Sequence, residues 1–312
     1  MLRLRFFNVG DGDCILIEEP SENGVFRMLV DTGRAEVPEP APAAACAEHL
    51  SRAGVRRIDR LVITHLHTDH FGGLAALAAQ VEIGEIISGY FPLAAGRAAV
   101  DPRMTKTERG LAGCLTEWSE DVERLKRAGC RITELFASWH DVRLTRRLSA
   151  DLIVPDVRAL RLQRSVYNRL LRREPVPSSQ VIQAARLRNP NSLRIRLRYA
   201  GRTVELAADC YGALWEDMAE PCDVLKAPHH GDAKSVTDAL ADRLRPAHAV
   251  ISCGRDYLPA KDRPSARTIA RLRDSGAEVW FTDAFDEGTG APRVWPSVDF
   301  TILDDGRILP PL

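Results

Sequence analysis

Two β-sheets packed face to face, each carrying helices on its outer side, form the mixed α/β (α+β) architecture that this 312-residue sequence predicts. Two observations carry that expectation. Period-two hairpins occur in both halves of the chain, and so does β–α alternation; such elements must each bury one face, which a sheet-on-sheet core with outer helices allows. Beside them stands a chemical feature: three histidines and an aspartate fall within His65 to His70, directly after the apolar run Leu61-Val62-Ile63.

From the N-terminus, residues 2–9 and 14–18 read as strands about Gly10-Asp11-Gly12-Asp13, and Met28-Leu29-Val30 as a third strand ending at Asp31-Thr32-Gly33. Glycine and aspartate at such points suit hairpin turns. Equally, Asp13 and Asp31 could lie beneath metals and orient histidine ligands. Residues 34–46, rich in proline and alanine, predict a loop into a helix near 43–53; strand 60–64, helix 73–80 and strand Ile83 to Ile87 follow. Residues 92–113 contain Pro92, Gly96, Pro102 and Gly110, lack periodicity, and predict a mobile connection. A helix from Leu115 to Ala128 is closed by Gly129.

Short strands are expected within 131–154, then a helix over the arginine-rich Arg158 to Arg173, then a weakly structured Pro175 to Ser179. The arginines predict a solvated helix face, with a basic lid over the site as the other reading. Leu193 to Tyr199 alternates strictly, turns at Ala200-Gly201 and returns through Arg202 to Ala208, the clearest hairpin in the chain. Its second strand ends at Asp209. The loop Leu225 to Asp232, helix 235–244, strand Ala249 to Ser252, helix 265–275 between Ser265 and Gly276, and strand Val279 to Thr282 complete the alternation.

Length and composition suit one domain over 1–312, with an insert at about 156–188. Basic and acidic residues balance at 43 each, so no bulk charge draws the chain to nucleic acid or membrane. No apolar run is long enough to span a bilayer. Seven cysteines stand singly, without a Cys-x-x-Cys pair, which predicts reduced thiols and a cytoplasmic location.

The stretch Thr64 to Gly73 carries the chemistry. The preceding run reads as a buried strand, and Leu74 to Ala79 as a helix, so the ligand-type side chains sit on a strand-to-helix loop. His65 and His67, two apart, project to one side of an extended chain. A turn at Thr68 can bring Asp69 and His70 to a second point nearby. Imidazole and carboxylate suit zinc and neighbouring first-row divalent ions. Four such groups exceed the needs of one open catalytic ion; two ions about 3.5–4 Å apart would use them fully.

His-x-His-x-Asp-His-x-Gly-Gly resembles the signature of the metallo-β-lactamase superfamily. The wider set resembles one branch, the competence-protein (ComEC/Rec2-type) metallo-β-lactamase domains. It comprises Asn8 to Asp13 with Leu16, Val30 to Gly33, the metal loop, Asn189-Pro190-Asn191-Ser192-Leu193, Asp209, Leu225 to Gly231 and Pro264-Ser265. The resemblance runs over nearly the whole chain, residues 92–130 and 156–188 being least covered. It implies the four-layer αββα sandwich, with two divalent ions (Zn²⁺ or Mn²⁺) at one edge between the halves. It implies His65, His67 and Asp209 as ligands of one ion, and Asp69, His70, Asp209 and His229 of the other. His230 is then left to contact substrate or leaving group, while Asp13, Asp31, Asn191, Ser192 and Lys226 touch the ligands or the substrate.

There are departures. The branch lacks the histidine that other superfamily members place between the metal loop and the bridging aspartate; Asn191 and Ser192 match what stands there instead, and His140 is the minority candidate for a further ligand. Asp11, Asp232 and Arg263 stand where glutamine, serine and histidine are usual; the last two changes bear on substrate rather than metal. The competence proteins carry this domain beside membrane helices, and this sequence shows none, so DNA uptake is not implied.

The expected function is hydrolysis by a metal-bound hydroxide, with Asp69 orienting it and accepting its proton. The branch favours a phosphodiester substrate (nucleic acid or nucleotide), so a phosphodiesterase or nuclease. Arginines 143, 146, 147, 194, 196 and 198 could steer phosphate, or be a strand's solvent face. The alternatives are a lactone, thioester or amide hydrolase with the same centre, and a partner-binding subunit with a vestigial site. A protein partner engaging the arginine-rich insert is a further expectation; a membrane partner is not expected.

Overall fold

Alternation fixes the strands, and their order along the chain builds two sheets. In the computed structural model, which describes residues 1–21, 24–37, 43–254, 263–285, 292–294 and 296–311, the strands are numbered in chain order. They are β1 (Leu2–Phe7), β2 (Ile15–Ser21), β3 (Gly24–Val30), β4 (Arg57–Ile63), β5 (Glu82–Ser88), β6 (Arg131–Glu134), β7 (Trp139–Arg143), β8 (Ser149–Ile153) and β9 (Arg194–Tyr199). After them come β10 (Arg202–Leu206), β11 (Val224–Lys226), β12 (His248–Ile251), β13 (Glu278–Phe281), β14 (Asp283–Phe285), β15 (Pro292–Val294), β16 (Ser297–Ile302) and β17 (Ile308–Leu309). One eight-stranded sheet runs β17-β16-β1-β2-β3-β4-β5-β6, and a seven-stranded sheet runs β13-β12-β11-β10-β9-β8-β7.

Between the sheets lies an apolar layer. Leu4, Phe6, Ile15, Ile17, Val30, Val62 and Ile87 of the first sheet face Ala150, Leu152, Ile195, Leu197, Val204 and Val250 of the second. The helices are α1 (Cys46–Arg52), α2 (Thr68–Phe71), α3 (Leu74–Ala78), α4 (Lys106–Arg127), α5 (Val157–Leu171), α6 (Ser178–Arg186), α7 (Asp238–Leu244) and α8 (Ala266–Asp274). The first sheet's outer face is covered through a second cluster including Leu61, Ile63, Leu74, Leu111, Trp118, Val166 and Val181. A third cluster packs α7 and α8 on the second sheet through Leu225, Leu240, Ile251 and Leu272. The layers are therefore helix, sheet, sheet, helix, as in the metallo-β-lactamase sandwich. Central β4 is buried on both faces, which is why Leu61-Val62-Ile63 is apolar without alternation.

Several elements differ from the sequence expectation. The helix expected at 73–80 is the shorter α3, and the metal loop before it contains a further short helix, α2, that the sequence did not suggest. Residues 106–113, expected in a mobile connection, are the first turns of α4. Thr105 and Glu108 form a reciprocal capping box that starts it, and Gly110 and Gly113 are carried inside by the buried stripe Leu111, Leu115, Trp118 and Val122. Ser178–Arg186, read as weakly structured at its start, is α6. It packs on α4 and α5 through Val181, Ala184 and Ala185. Residues 38–42 of the expected proline-rich loop lie outside the described residues. In the arginine-rich segment, Arg158, Arg161, Arg172 and Arg173 are exposed, while Leu160, Val166, Tyr167 and Leu170 turn inward. Among the described residues, no helix is long and apolar enough to cross a membrane.

Strand direction positions the site. β3, β4 and β5 run parallel, as do β10, β11 and β12. The loops after β3, β4, β10 and β11 carry Asp31, the metal loop, Asp209 and the His229-His230 pair, and their side chains meet at one edge between the sheets.

Candidate metal centre

The loop from Thr64 to His70 leaves β4 extended and re-enters a helix at Thr68, with His67 still extended (φ −107°, ψ 146°). His65 and His67 consequently lie together, Nε2 to Nδ1 2.9 Å apart. Two groups form about Asp209. His65, His67 and Asp209 offer ligand atoms all within 4.8 Å of one another, and Asp69, His70 and His230 do likewise. Asp209 lies between them. Its Oδ2 is 3.6 Å from His65 Nε2, while its Oδ1 is 3.3 Å from His70 Nε2 and 3.7 Å from His230 Nε2. His230 Nε2 also lies 3.6 Å from Asp69 Oδ2.

The histidine pair is thus arranged differently from the sequence expectation, which gave the ligand role to His229 and the substrate role to His230. His230 is fully buried against Asp69 and Asp209, with its Nδ1 3.1 Å from the Ser252 carbonyl oxygen. His229 is at the opening, its Nε2 2.9 Å from Asn189 Nδ2 and 3.7 Å from Asp209 Oδ2, its Nδ1 3.1 Å from Asp232 Oδ2. The reason is backbone geometry: both residues take left-handed dihedrals (φ 45° and 53°), which swing the second imidazole inward and the first toward the rim. Of eight non-glycine residues with positive φ among those described, four are here: Asp31, Ala208, His229 and His230. Such conformations are unfavourable for residues with a Cβ and concentrate where function over-determines the backbone.

Carboxylates beneath the cluster set its orientation. Asp31 accepts from Thr64 N and Thr64 Oγ1, each at 2.8 Å, and its Oδ2 lies 2.7 Å from His70 Nδ1. Asp13 forms a fully buried ion pair with Lys226, and its two oxygens lie 3.9 Å from His70 Nδ1 and 3.8 Å from His230 Nδ1. Gly12 lets that loop reach the site, since a Cβ there would meet the Asp69 carbonyl oxygen at 2.5 Å. Asp13 N in turn donates to that oxygen at 3.1 Å. Ser192 Oγ accepts from Asp209 N at 3.1 Å and so pins the central aspartate. Asn191 turns away, accepting from Asp156 N and donating to Gln163 Oε1.

Electrostatics divides the histidines. Burial, and then neighbouring His70 and His67, hold His65 well below its ordinary pKa. Burial and then the Arg188 guanidinium bring His67 down to about 3. Burial opposes charge on His70, yet Asp209 and Asp31 hold it well above the ordinary value; His230 is raised against burial by Asp209 and Asp69. Asp69 and Asp209 are held well below the usual carboxylate range despite burial, by His230 and His70.

The residues fit divalent metal. His70 Nε2, His230 Nε2 and Asp209 Oδ1 are buried without a hydrogen-bond partner although they face one another. Unsatisfied buried polar atoms are costly, and converging imidazole and carboxylate atoms are what a borderline divalent ion binds.

His140 is elsewhere, exposed on β7 with Asp151 3.9 Å from its Nδ1. Of the arginines considered for phosphate steering, Arg143 and Arg146 are exposed and the other four are engaged structurally. Arg194 and Arg196 hold buried Glu205, each at 3.2 Å, Arg198 holds Asp151 at 2.6 Å, and Arg147 reaches Glu19 and Asp304. Period-two alternation carries Arg194, Arg196 and Arg198 to the outer face of β9, away from the inter-sheet edge, where carboxylates of β8 and β10 meet them. Sequence reasoning did not single out Arg188 or Tyr211, whose ring lies 5.5 Å from that of His229. Neither sits in a recognisable pattern. Asn189 stood inside a quoted motif without a role.

Residues 7–110 match the family model described as the Metallo-beta-lactamase superfamily. The chain is similar to ComE operon protein 3 of Bacillus subtilis (strain 168), at 21% identity over 292 residues, covering 88% of this chain and 31% of that protein. It thus spans about a third of the length of that curated relative. Among solved structures it is similar to the metallo-beta-lactamase fold protein YhfI from Bacillus subtilis (TM-score 0.48, 11% identity, covering 90% of this chain and 96% of that one). It is also similar to Zn²⁺-bound PqqB from Methylobacterium extorquens (TM-score 0.45, 11% identity, 90% and 98% covered). At this level of likeness neither structure informs on substrate.

Proposed function

We propose that this chain is a metal-dependent hydrolase with a dinuclear centre, acting on phosphodiester or related phosphate-ester bonds. The observation that carries the reading is the set of buried, partnerless atoms His70 Nε2, His230 Nε2 and Asp209 Oδ1, converging beside the His65–His67–Asp209 group. On this reading His65, His67 and Asp209 would hold one ion, and Asp69, His70 and His230, with Asp209, the other. Two divalent ions, Zn²⁺ or Mn²⁺, would supply a water of lowered pKa and positive charge to stabilise the transition state. The chain's own residues do the rest. Asp69, whose carboxyl is held below the usual carboxylate range, would orient the attacking water and take its proton. Asp31 fixes the ring of His70. His229 and Asn189 stand at the opening, where they meet the leaving group rather than the ions.

The phosphoester class is supported by the resemblance of the Asn8-to-Asp13 loop, the metal loop and Leu225 to Gly231 to competence-protein domains. Seven free, buried cysteines support a reducing compartment. The test is hydrolysis of bis(p-nitrophenyl) phosphate by protein loaded with Zn²⁺ or Mn²⁺. Metal-dependent turnover, abolished by His67→Ala, supports the proposal. Inert phosphate esters alongside turnover of lactones would reassign the substrate, and stoichiometric protein binding without turnover would favour a partner-binding role.

A further inference from the structure

Arg188 stands out among the arginines near the site. It follows α6 and is half-buried, and its hydrogen bonds go only to neutral acceptors: Nη1 donates to the Leu66 carbonyl oxygen at 2.8 Å and to Cys114 Sγ at 3.6 Å, and Nε to the Ala185 carbonyl oxygen at 3.2 Å. Among the described residues no carboxylate pairs with it. Its position is fixed by the metal loop itself, since Leu66 lies between His65 and His67. The contrast is with arginines of similar or lower exposure. Arg194, Arg196 and Arg198 each have a carboxylate, as do Arg60, Arg164 and Arg271.

An uncompensated guanidinium at low exposure is unfavourable, and more so beside sites for two cations of the same sign. It becomes favourable when an anion lies between them. The guanidinium fork suits a phosphoryl group, to which it donates charge-assisted hydrogen bonds. Building on the hydrolase reading, we propose that Arg188 forms an anion subsite beside His67 that binds a non-bridging oxygen of a negatively charged phosphoryl group, and so selects anionic phosphodiesters over neutral esters. Arg188 is then a specificity-determining residue, and substrate charge is neutralised jointly by the metal centre and this guanidinium.

The experiment uses the full metal-loaded chain with inorganic phosphate as the probe, titrated calorimetrically against wild type, Arg188→Gln and Arg188→Lys, with metal content measured in each. The expected result is a loss of phosphate affinity of about tenfold to a hundredfold in Arg188→Gln at unchanged metal content, with Arg188→Lys retaining most of it. The ratio of kcat/KM for bis(p-nitrophenyl) phosphate to that for a neutral phosphotriester should fall by a similar factor in Arg188→Gln, mainly through KM. Unchanged phosphate affinity in Arg188→Gln overturns the proposal, as does metal loss in both variants, which would make the Leu66 contact structural. If Arg188→Gln does not fold, a phosphate affinity in Arg188→Lys more than a hundredfold below wild type at full metal content also overturns it. A chain that turns over no substrate, yet loses phosphate binding on Arg188→Gln, sinks the hydrolase reading and leaves the anion subsite standing.

Discussion

Asp31 holds His70 from behind: its Oδ2 lies 2.7 Å from His70 Nδ1, and the opposite ring nitrogen, Nε2, is thereby aimed at Asp209 Oδ1, 3.3 Å away. The same carboxylate accepts both the backbone N and the hydroxyl of Thr64, one residue before His65. One buried side chain thus sets the start of the metal loop and the orientation of its last histidine.

Replacing it should therefore weaken metal binding more than folding. Asparagine tolerates the left-handed backbone of Asp31 (φ 59°) and keeps the shape, so Asp31→Asn should retain its circular dichroism spectrum. Metal affinity should fall about 10- to 100-fold, as expected when a partner that orients a ligating histidine is lost. Competition with a chromogenic chelator measures this; an unchanged affinity would refute the orienting role.

Metal binding should release protons. In the metal-free protein Asp209 and its neighbouring carboxylates raise His70 and His230 against burial, so they keep their protons to higher pH than a free imidazole does, whereas Asp69 and Asp209 are held below the usual carboxylate range. A ligating imidazole must be neutral. Raising the pH removes the competing protons, so affinity should rise with pH through the neutral range, and loading in weak buffer should acidify the solution. Affinity independent of pH would show that these histidines are neutral beforehand.

On the outer face of β9, Glu205 is fully buried between Arg194 and Arg196, with the Arg194 guanidinium 3.8 Å from the centre of the Trp215 ring. Glu205→Ala leaves two buried cations without their carboxylate. Stability should fall by about 3–5 kcal/mol, the cost of breaking a buried ion pair on one side, measured by urea denaturation. Metal content of the folded fraction should not change, because this ladder lies away from the inter-sheet edge.

These findings also show what the sequence could reveal. The strand-to-helix placement of the metal loop was legible because an apolar run, a cluster of ligand-type residues and a glycine pair follow one another from Leu61 to Gly73. The hairpin at Ala200-Gly201 was legible too, since both turn residues take positive φ (49° and 74°) and its strands alternate strictly. The start of α4 was hidden by Gly110, although Thr105 and Glu108 carried the capping signal. Which of His229 and His230 turns inward depends on two left-handed residues in succession, which no periodicity encodes. The arginines of β9 showed their alternation but not their partners, because Asp151 and Glu205 arrive from strands whose register is set only in the folded sheet. Arg188 had no pattern at all; its meaning comes from Leu66, 122 residues away in sequence.

The most direct test of the account is elemental analysis of the chain after equilibration with Zn²⁺ or Mn²⁺ and removal of excess metal, beside His230→Ala and Asp209→Ala. A dinuclear centre bridged at Asp209 gives two ions per chain in the wild type, close to one in His230→Ala, and loss of both in Asp209→Ala. A wild-type chain that retains no metal, or an Asp209→Ala chain that keeps two ions, would contradict it.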